Sequence, residues 1–177
     1  SNRHKKHIFF TSKQEKEDYM LDKLDPIDRR ILHIMQEDGS LSVAQIADHV
    51  GLSHAPCWRR IQRLEKAGAI KRRVAILDRE VMGFDAMVFV QVKLTAQGRA
   101  QIAEFTEAVQ RFPEVQDCHV LLGEVDFILR IVTRDIKAYE RFFYNHLSKL
   151  PGISEIRSSM VLTEVKQSYS LPILNES

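Results

Sequence analysis

The feature that most restricts this chain is a pair of amphipathic helical segments joined by only Gly51 and Leu52. In the first, Ser42 with Gln45 three residues later forms a capping box, and Val43, Ile46, Ala47 and Val50 make one apolar stripe that stops at Gly51. In the second, Ser53 stands where a cap belongs. Cys57, Ile61 and Leu64 form its buried stripe, Gly68 closes it, and Pro56 is confined to the first turn, where its missing N–H costs little. Upstream, Asp25 as N-cap and Pro26 at the first helical position open another segment, with Ile27, Ile31 and Met35 at helical spacing until Gly39. After Gly68 the spacing changes to even steps at Ile70, Val74 and Ile76, which predicts a strand. Three helices with a tight second link and a following strand match a winged helix-turn-helix, whose third helix enters the major groove of duplex DNA.

Charge falls in the same place. Between Ser53 and Arg73 stand seven cations (Arg59, Arg60, Arg63, Lys66, Lys71, Arg72 and Arg73) against the single acid Glu65, a local +6 in a chain of net charge +2. A lone basic helix is more often a solvated face than a ligand site, but here the basic focus coincides with the helical punctuation. Ser53, His54, Ala55 and Pro56 lie at the N-terminal end of the third helix, where base edges are usually met. The expectation is that Ser53, His54, Ala55 and Arg59 sit near bases, and Arg60, Arg63, Arg72 and Arg73 near phosphates. The helix starts at Ser42 and Ser53 supply backbone donors for phosphate. Trp58 is expected to pack against the first helix or the N-terminal segment rather than touch DNA.

The second half has a different rhythm. MVFVQVKL, from Met87 to Leu94, has the β-branched and aromatic character of a buried strand. A helix follows (Ile102, Phe105, Val109, Phe112), then strands at Val115–Leu122 and Asp126–Thr133 around a turn, a helix (Ile136, Tyr139, Phe143, Leu147, Leu150), and a strand from Ile153 to Lys166. This βαββαβ order predicts a ferredoxin-like sheet with both helices on one face, so the class is α+β. A second copy of the chain would cover the other face. The expected divisions are a mobile extension at 1–22 with a helical stretch near 15–21, a helix-turn-helix domain at 23–69, a hinge strand and connector at 70–86, the βαββαβ domain at 87–168 and a tail at 169–177.

Between two of the apolar strands lies Leu122-Gly123-Glu124-Val125-Asp126-Phe127. Gly123 is expected to supply a left-handed turn position. Exposed turn amides and the Asp126 carboxylate could hold the carboxylate and ammonium of a free amino acid. An ordinary hairpin turn with Asp126 capping backbone is the plainer reading of these residues alone. No paired acid and base groups suggest catalysis, and no phosphate-cradling loop or nucleophile elbow is present. The histidines are scattered, and Cys118 and His119 must face opposite sides of one strand, so neither a metal nor a cofactor is expected. The two cysteines read as reduced packing residues, and no apolar run approaches the roughly 18 residues of a membrane span. A cytoplasmic protein is expected.

Taken together, LDPIDRRIL, VGLSHAPCWRRIQRLEKAGAIKR, VAILD and LLGEVDFILRIV make the chain resemble the Lrp/AsnC (leucine-responsive, feast/famine) family from Leu24 to about Val165. The resemblance implies a winged helix-turn-helix joined to a sensing domain of the kind called RAM, dimers through its sheet, and tetramers or octamers. It also implies an amino-acid effector held near the glycine-aspartate turn, which carries over to Gly123, Val125 and Asp126, with His119 and Ser159 as further candidates from neighbouring strands. Two departures are the long extension at 1–22 and Phe127 where the family often has Tyr. The expected function is a sequence-specific DNA-binding regulator of amino-acid metabolism. Its rivals are an architectural protein that wraps DNA with little sequence preference, and a small enzyme or ligand module on an inert helical domain.

Overall fold

The first helix begins where Asp25 and Pro26 place it. In the computed structural model, which describes residues 20–174, Asp25 accepts the Asp28 N–H at 2.8 Å and Pro26 opens α1 (Pro26–Glu37). The capping box at α2 (Val43–Val50) is complete: Ser42 accepts the Gln45 N–H at 3.3 Å and donates its own N–H to Gln45 Oε1 at 2.9 Å. Gly51 then takes φ 71°, a left-handed value that side chains resist, and the Leu52 N–H returns to the Ala47 carbonyl at 2.9 Å. Those two residues turn the chain into α3 (His54–Lys66). Ile31, Met35, Ile46, Ala47, Val50, Cys57, Ile61 and Leu64 bury their side chains together, so the stripes read from the sequence converge on one core.

The predicted hinge strand finds no partner strand among the described residues. Ile70 packs on the helical core, but Val74, Ile76 and Leu77 are well exposed and 70–78 form no ladder among the described residues. A strand exists only through its partner, and even spacing marks an extended segment without supplying one. The expected extension at 1–22 falls largely outside the described residues; its last part is a 3₁₀ turn at Met20–Lys23. Residues 168–174 group with the helices, and Ile76–Gln167 form the second unit. The Gln36 amide fastens that C-terminal stretch by donating to the Leu171 carbonyl at 2.7 Å and accepting its N–H at 2.9 Å.

The second unit contains β1 (Ala86–Leu94), α4 (Ala96–Ala100), α5 (Ile102–Val109), β2 (Val115–Val120), β3 (Phe127–Thr133), α6 (Ile136–Asn145) and β4 (Ile153–Met160). The sheet order is β2-β3-β1-β4 with every pair antiparallel, which is the ferredoxin-like α+β arrangement. Val88, Val90 and Val92 of β1 and Phe127, Leu129 and Ile131 of β3 bury one face against Phe105, Val109, Tyr139 and Phe142. Phe89 and Arg130, paired in register, lie on the other face.

Element boundaries also differ from expectation, β2 ending at Val120 rather than Leu122 and β3 starting at Phe127 rather than Asp126. The last strand stops at Met160, not Lys166: its final rung on β1 pairs Met160 with Val88, and one further bond runs from the Val161 N–H to the Met87 carbonyl. The helix expected from Ile102 is preceded by α4, which has no apolar stripe and packs through Gly98 instead. On α6 the buried residues are Tyr139 and Phe142, while Ile136 is exposed and Leu147 belongs to a 3₁₀ turn.

Candidate nucleic-acid interface and effector loop

Cys57, Ile61 and Leu64 fix the inward face of α3, and the rest of the helix is thereby turned outward. Ser53, His54, Ala55 and Arg59 are all exposed, with Pro56 partly buried behind them. Pro56, Arg59, Arg60 and Arg63 line a shallow concavity. Ser53 sits at the cap position in extended backbone, yet its side chain makes no capping bond, contrary to expectation. The reason is Pro56. A cap hydroxyl is answered by the N–H of the second or third helical residue, and proline in the third place has none. The Ser53 hydroxyl is therefore not committed to its own helix. Trp58, expected to pack, is 48% exposed on the same helix.

The cations of this helix divide into two groups. Arg60 Nη1 donates to Asp25 Oδ2 at 2.5 Å and to Asp28 Oδ1 at 2.8 Å, and Arg63 Nη2 donates to Asp28 Oδ2. Asp28 is buried and held between the two arginines, whereas the Arg63 side chain remains 60% exposed. Arg60 holds the Asp25 carboxyl below its usual range, helped by the Asp28 N–H. Arg73 is paired with Glu65 at 2.8 Å. Arg59 and Arg72 bond nothing among the described residues. The acids Asp25 and Asp28 lie outside the basic run, so a count restricted to that run missed their neutralising effect.

In the second unit the loop 121–126 joins β2 to β3. Gly123 is not in the left-handed region, contrary to expectation. A six-residue connection can turn through several ordinary backbone positions, so no single residue has to supply a sharp reversal. Gly123 is exposed and Val125 and Asp126 are partly buried. Asp126 is a junction: its Oδ2 accepts the Leu94 N–H at 2.7 Å, its Oδ1 accepts Arg99 Nε at 2.8 Å, and its own N–H reaches the Val92 carbonyl at 2.9 Å. Arg99 and the Leu94 N–H hold its carboxyl below the usual range against the cost of burial. His119 and Ser159 lie on the two edge strands, with β3 and β1 between them. At about 4.8 Å per strand spacing they are roughly 14 Å apart across the sheet, too far to share one small ligand within a single chain.

Two family models match the chain: the AsnC-type helix-turn-helix domain over residues 24–65, and the Lrp/AsnC ligand binding domain over residues 87–171. The chain is 37% identical over 150 residues to the leucine-responsive regulatory proteins of Klebsiella pneumoniae and Escherichia coli, covering 85% of its own length and 92% of theirs. The chain belongs to the Lrp/AsnC family of transcription regulators. Among solved Lrp/AsnC structures it resembles a transcriptional regulator of Neisseria meningitidis in complex with L-Met, at 34% identity and TM-score 0.81, covering 85% of this chain and 97% of that one. An AsnC family regulator of Agrobacterium tumefaciens matches at 40% identity and TM-score 0.80 over the same shares.

Family membership gives the two halves their roles, a helix-turn-helix and a ligand-binding domain. Phe127 points into the core and packs on Phe105 with ring centroids 4.5 Å apart. Cys118 is half-buried against the same core, where burial pushes its thiol up to about 11, while His119 pairs with Ile128 on the outer face. Among the described residues no helix is long and apolar enough to cross a membrane.

Proposed function

We propose that this regulator reads a specific duplex sequence with the N-terminal end of α3, and that an amino acid held at loop 121–126 modulates that reading to control genes of amino-acid metabolism. One observation carries the DNA half: Ser53, His54, Ala55 and Arg59 are exposed together, and Pro56 leaves the Ser53 hydroxyl uncommitted. Arg59 offers a bidentate fork for guanine, and Ser53 and His54 add short polar contacts at the helix start. Arg72, Arg73 and the outward nitrogens of Arg63 serve phosphates, together with Ser42 at the start of α2. Arg60, held by two carboxylates, contributes through the position of α3. The L-Met complex of the Neisseria relative and the leucine-responsive name of the enterobacterial ones support an amino acid as effector.

Partial neutralisation of Arg60, Arg63 and Arg73 by carboxylates of the same chain also weighs against a purely electrostatic DNA-wrapping role, which depends on net positive charge. The outer face of the sheet, where Phe89 is 39% exposed, is the surface we assign to a second copy, with assembly to tetramers or octamers. Such a protein works in the cytoplasm, beside the DNA.

Selection of DNA from a random pool by the purified protein should yield a motif bound at least roughly 10³-fold more tightly than random duplex. Arg59→Ala should reduce that ratio by about 5- to 150-fold, corresponding to about 1–3 kcal/mol, while binding to random duplex falls much less. No enriched motif, or an Arg59→Ala protein with undiminished discrimination, would defeat this assignment.

A further inference from the structure

The loop 121–126 is flanked by an arginine that neither motif nor periodicity brings to notice. We propose that Arg99 receives the carboxylate of the effector, and that Asp126 serves to hold Arg99 rather than to meet the effector's ammonium. This rests on the reading of the loop as the effector site and specifies its chemistry.

The argument begins with how α4 is seated. Thr95 accepts the Gly98 N–H at 3.0 Å, and its own N–H reaches the Gly152 carbonyl at 2.8 Å. Gly98 lies directly against Gly152, leaving no room for a side chain between the two backbones. Arg99 therefore projects from a short helix fixed at both its cap and its packing contact. Its Nε donates to Asp126 Oδ1 at 2.8 Å, and no other partner of the guanidinium is found among the described residues.

Asp126 is poorly placed to take an ammonium. Each of its oxygens already accepts a hydrogen bond, one from Arg99 and one from the Leu94 N–H, and its side chain is only 18% exposed. Arg99 is the opposite case. Its side chain is 51% exposed, and an Nε anchor leaves the edge formed by the two terminal nitrogens free. That edge is the planar fork that matches a carboxylate by two parallel hydrogen bonds. Lys93 also lies within electrostatic reach of Asp126. The ligand class is thus a free carboxylate, and an amine or amide of the same side chain should be discriminated against.

The test is calorimetric titration of the full chain with each free amino acid, and with L-methionine against L-methioninamide as the matched pair that differs at the carboxylate. Wild type should prefer methionine by about ten- to a hundredfold, the range for losing a hydrogen-bonded charge. Arg99→Gln should bring the ratio close to one, and Arg99→Lys, which keeps the charge without the fork, should fall between. An Arg99→Gln protein that keeps the wild-type ratio overturns the assignment and leaves the loop as effector site. Equal binding of methionine and its amide by wild type overturns it without any variant. A wild type that binds none of the twenty amino acids removes the effector reading itself.

Discussion

Replacing Arg60 and Arg63 together by alanine is expected to lower the stability of the helical unit by about 3–5 kcal/mol, the usual cost of leaving a buried charge unpaired. Asp28 is 1% exposed, and these two guanidinium groups are the side-chain partners of its carboxylate oxygens. A small domain holds roughly 5–15 kcal/mol in all, so much of the margin would disappear. Adding Asp28→Leu to the double variant should recover most of the loss, because an apolar side chain of similar volume leaves no charge to solvate. Urea denaturation of the three proteins is the measurement. A double variant within 1 kcal/mol of wild type would show that solvent, not arginine, satisfies Asp28. The stable triple variant then decides a second question: DNA binding with a shallower salt dependence would give these arginines a phosphate role as well, whereas unchanged binding leaves them with the fold alone. Acid should act on the same cluster. Arg60 lowers the folded-state pKa of Asp25, so its stabilising effect is complete above the unfolded value of about 3.9 and is lost as pH falls through the lower folded value.

Much of the helical unit was legible because its signals are local. The cap at Asp25, the box at Ser42 and Gln45, and the stop at Gly51 each involve residues within four positions, and the three apolar stripes meet in one core. What could not be read depends on partners distant in sequence. The stretch from Ile70 to Ile76 has a strand's spacing but no strand beside it among the described residues, and β4 pairs no further along β1 than Val88. Arg60 and Arg63 looked like surface cations because Asp25 and Asp28 stand more than thirty residues away from them. The loop 121–126 shows the same limit: Gly123 and Asp126 were visible as a turn, but the Arg99 that pairs with Asp126 is 27 positions upstream, on a helix without an apolar period.

That helix is the subject of the other large expected effect. Gly98→Ala should destabilise the sheet unit by about 3 kcal/mol, the upper end for overpacking, and should weaken effector binding along with it. A Cβ at this position would lie 2.3 Å from the Gly152 carbonyl oxygen and 2.8 Å from its Cα. Both are backbone atoms, so no rotamer change relieves the clash. The same carbonyl accepts the Thr95 N–H, and the intruding methyl would therefore press on the bond that seats α4. Gly152 cannot easily yield, since it holds φ 76° and a shift there disturbs the entry into β4. Relief must come from α4 moving outward, which carries Arg99 away from Asp126 and withdraws the fork from the loop. Thermal melting and methionine titration on the one variant check both consequences. DNA selectivity measured without effector should remain, because the N-terminal end of α3, to which we assign base reading, belongs to the other unit. A Gly98→Ala protein that melts like wild type would mean the two glycine backbones separate at little cost, and Arg99 would then lose its claim to a fixed position.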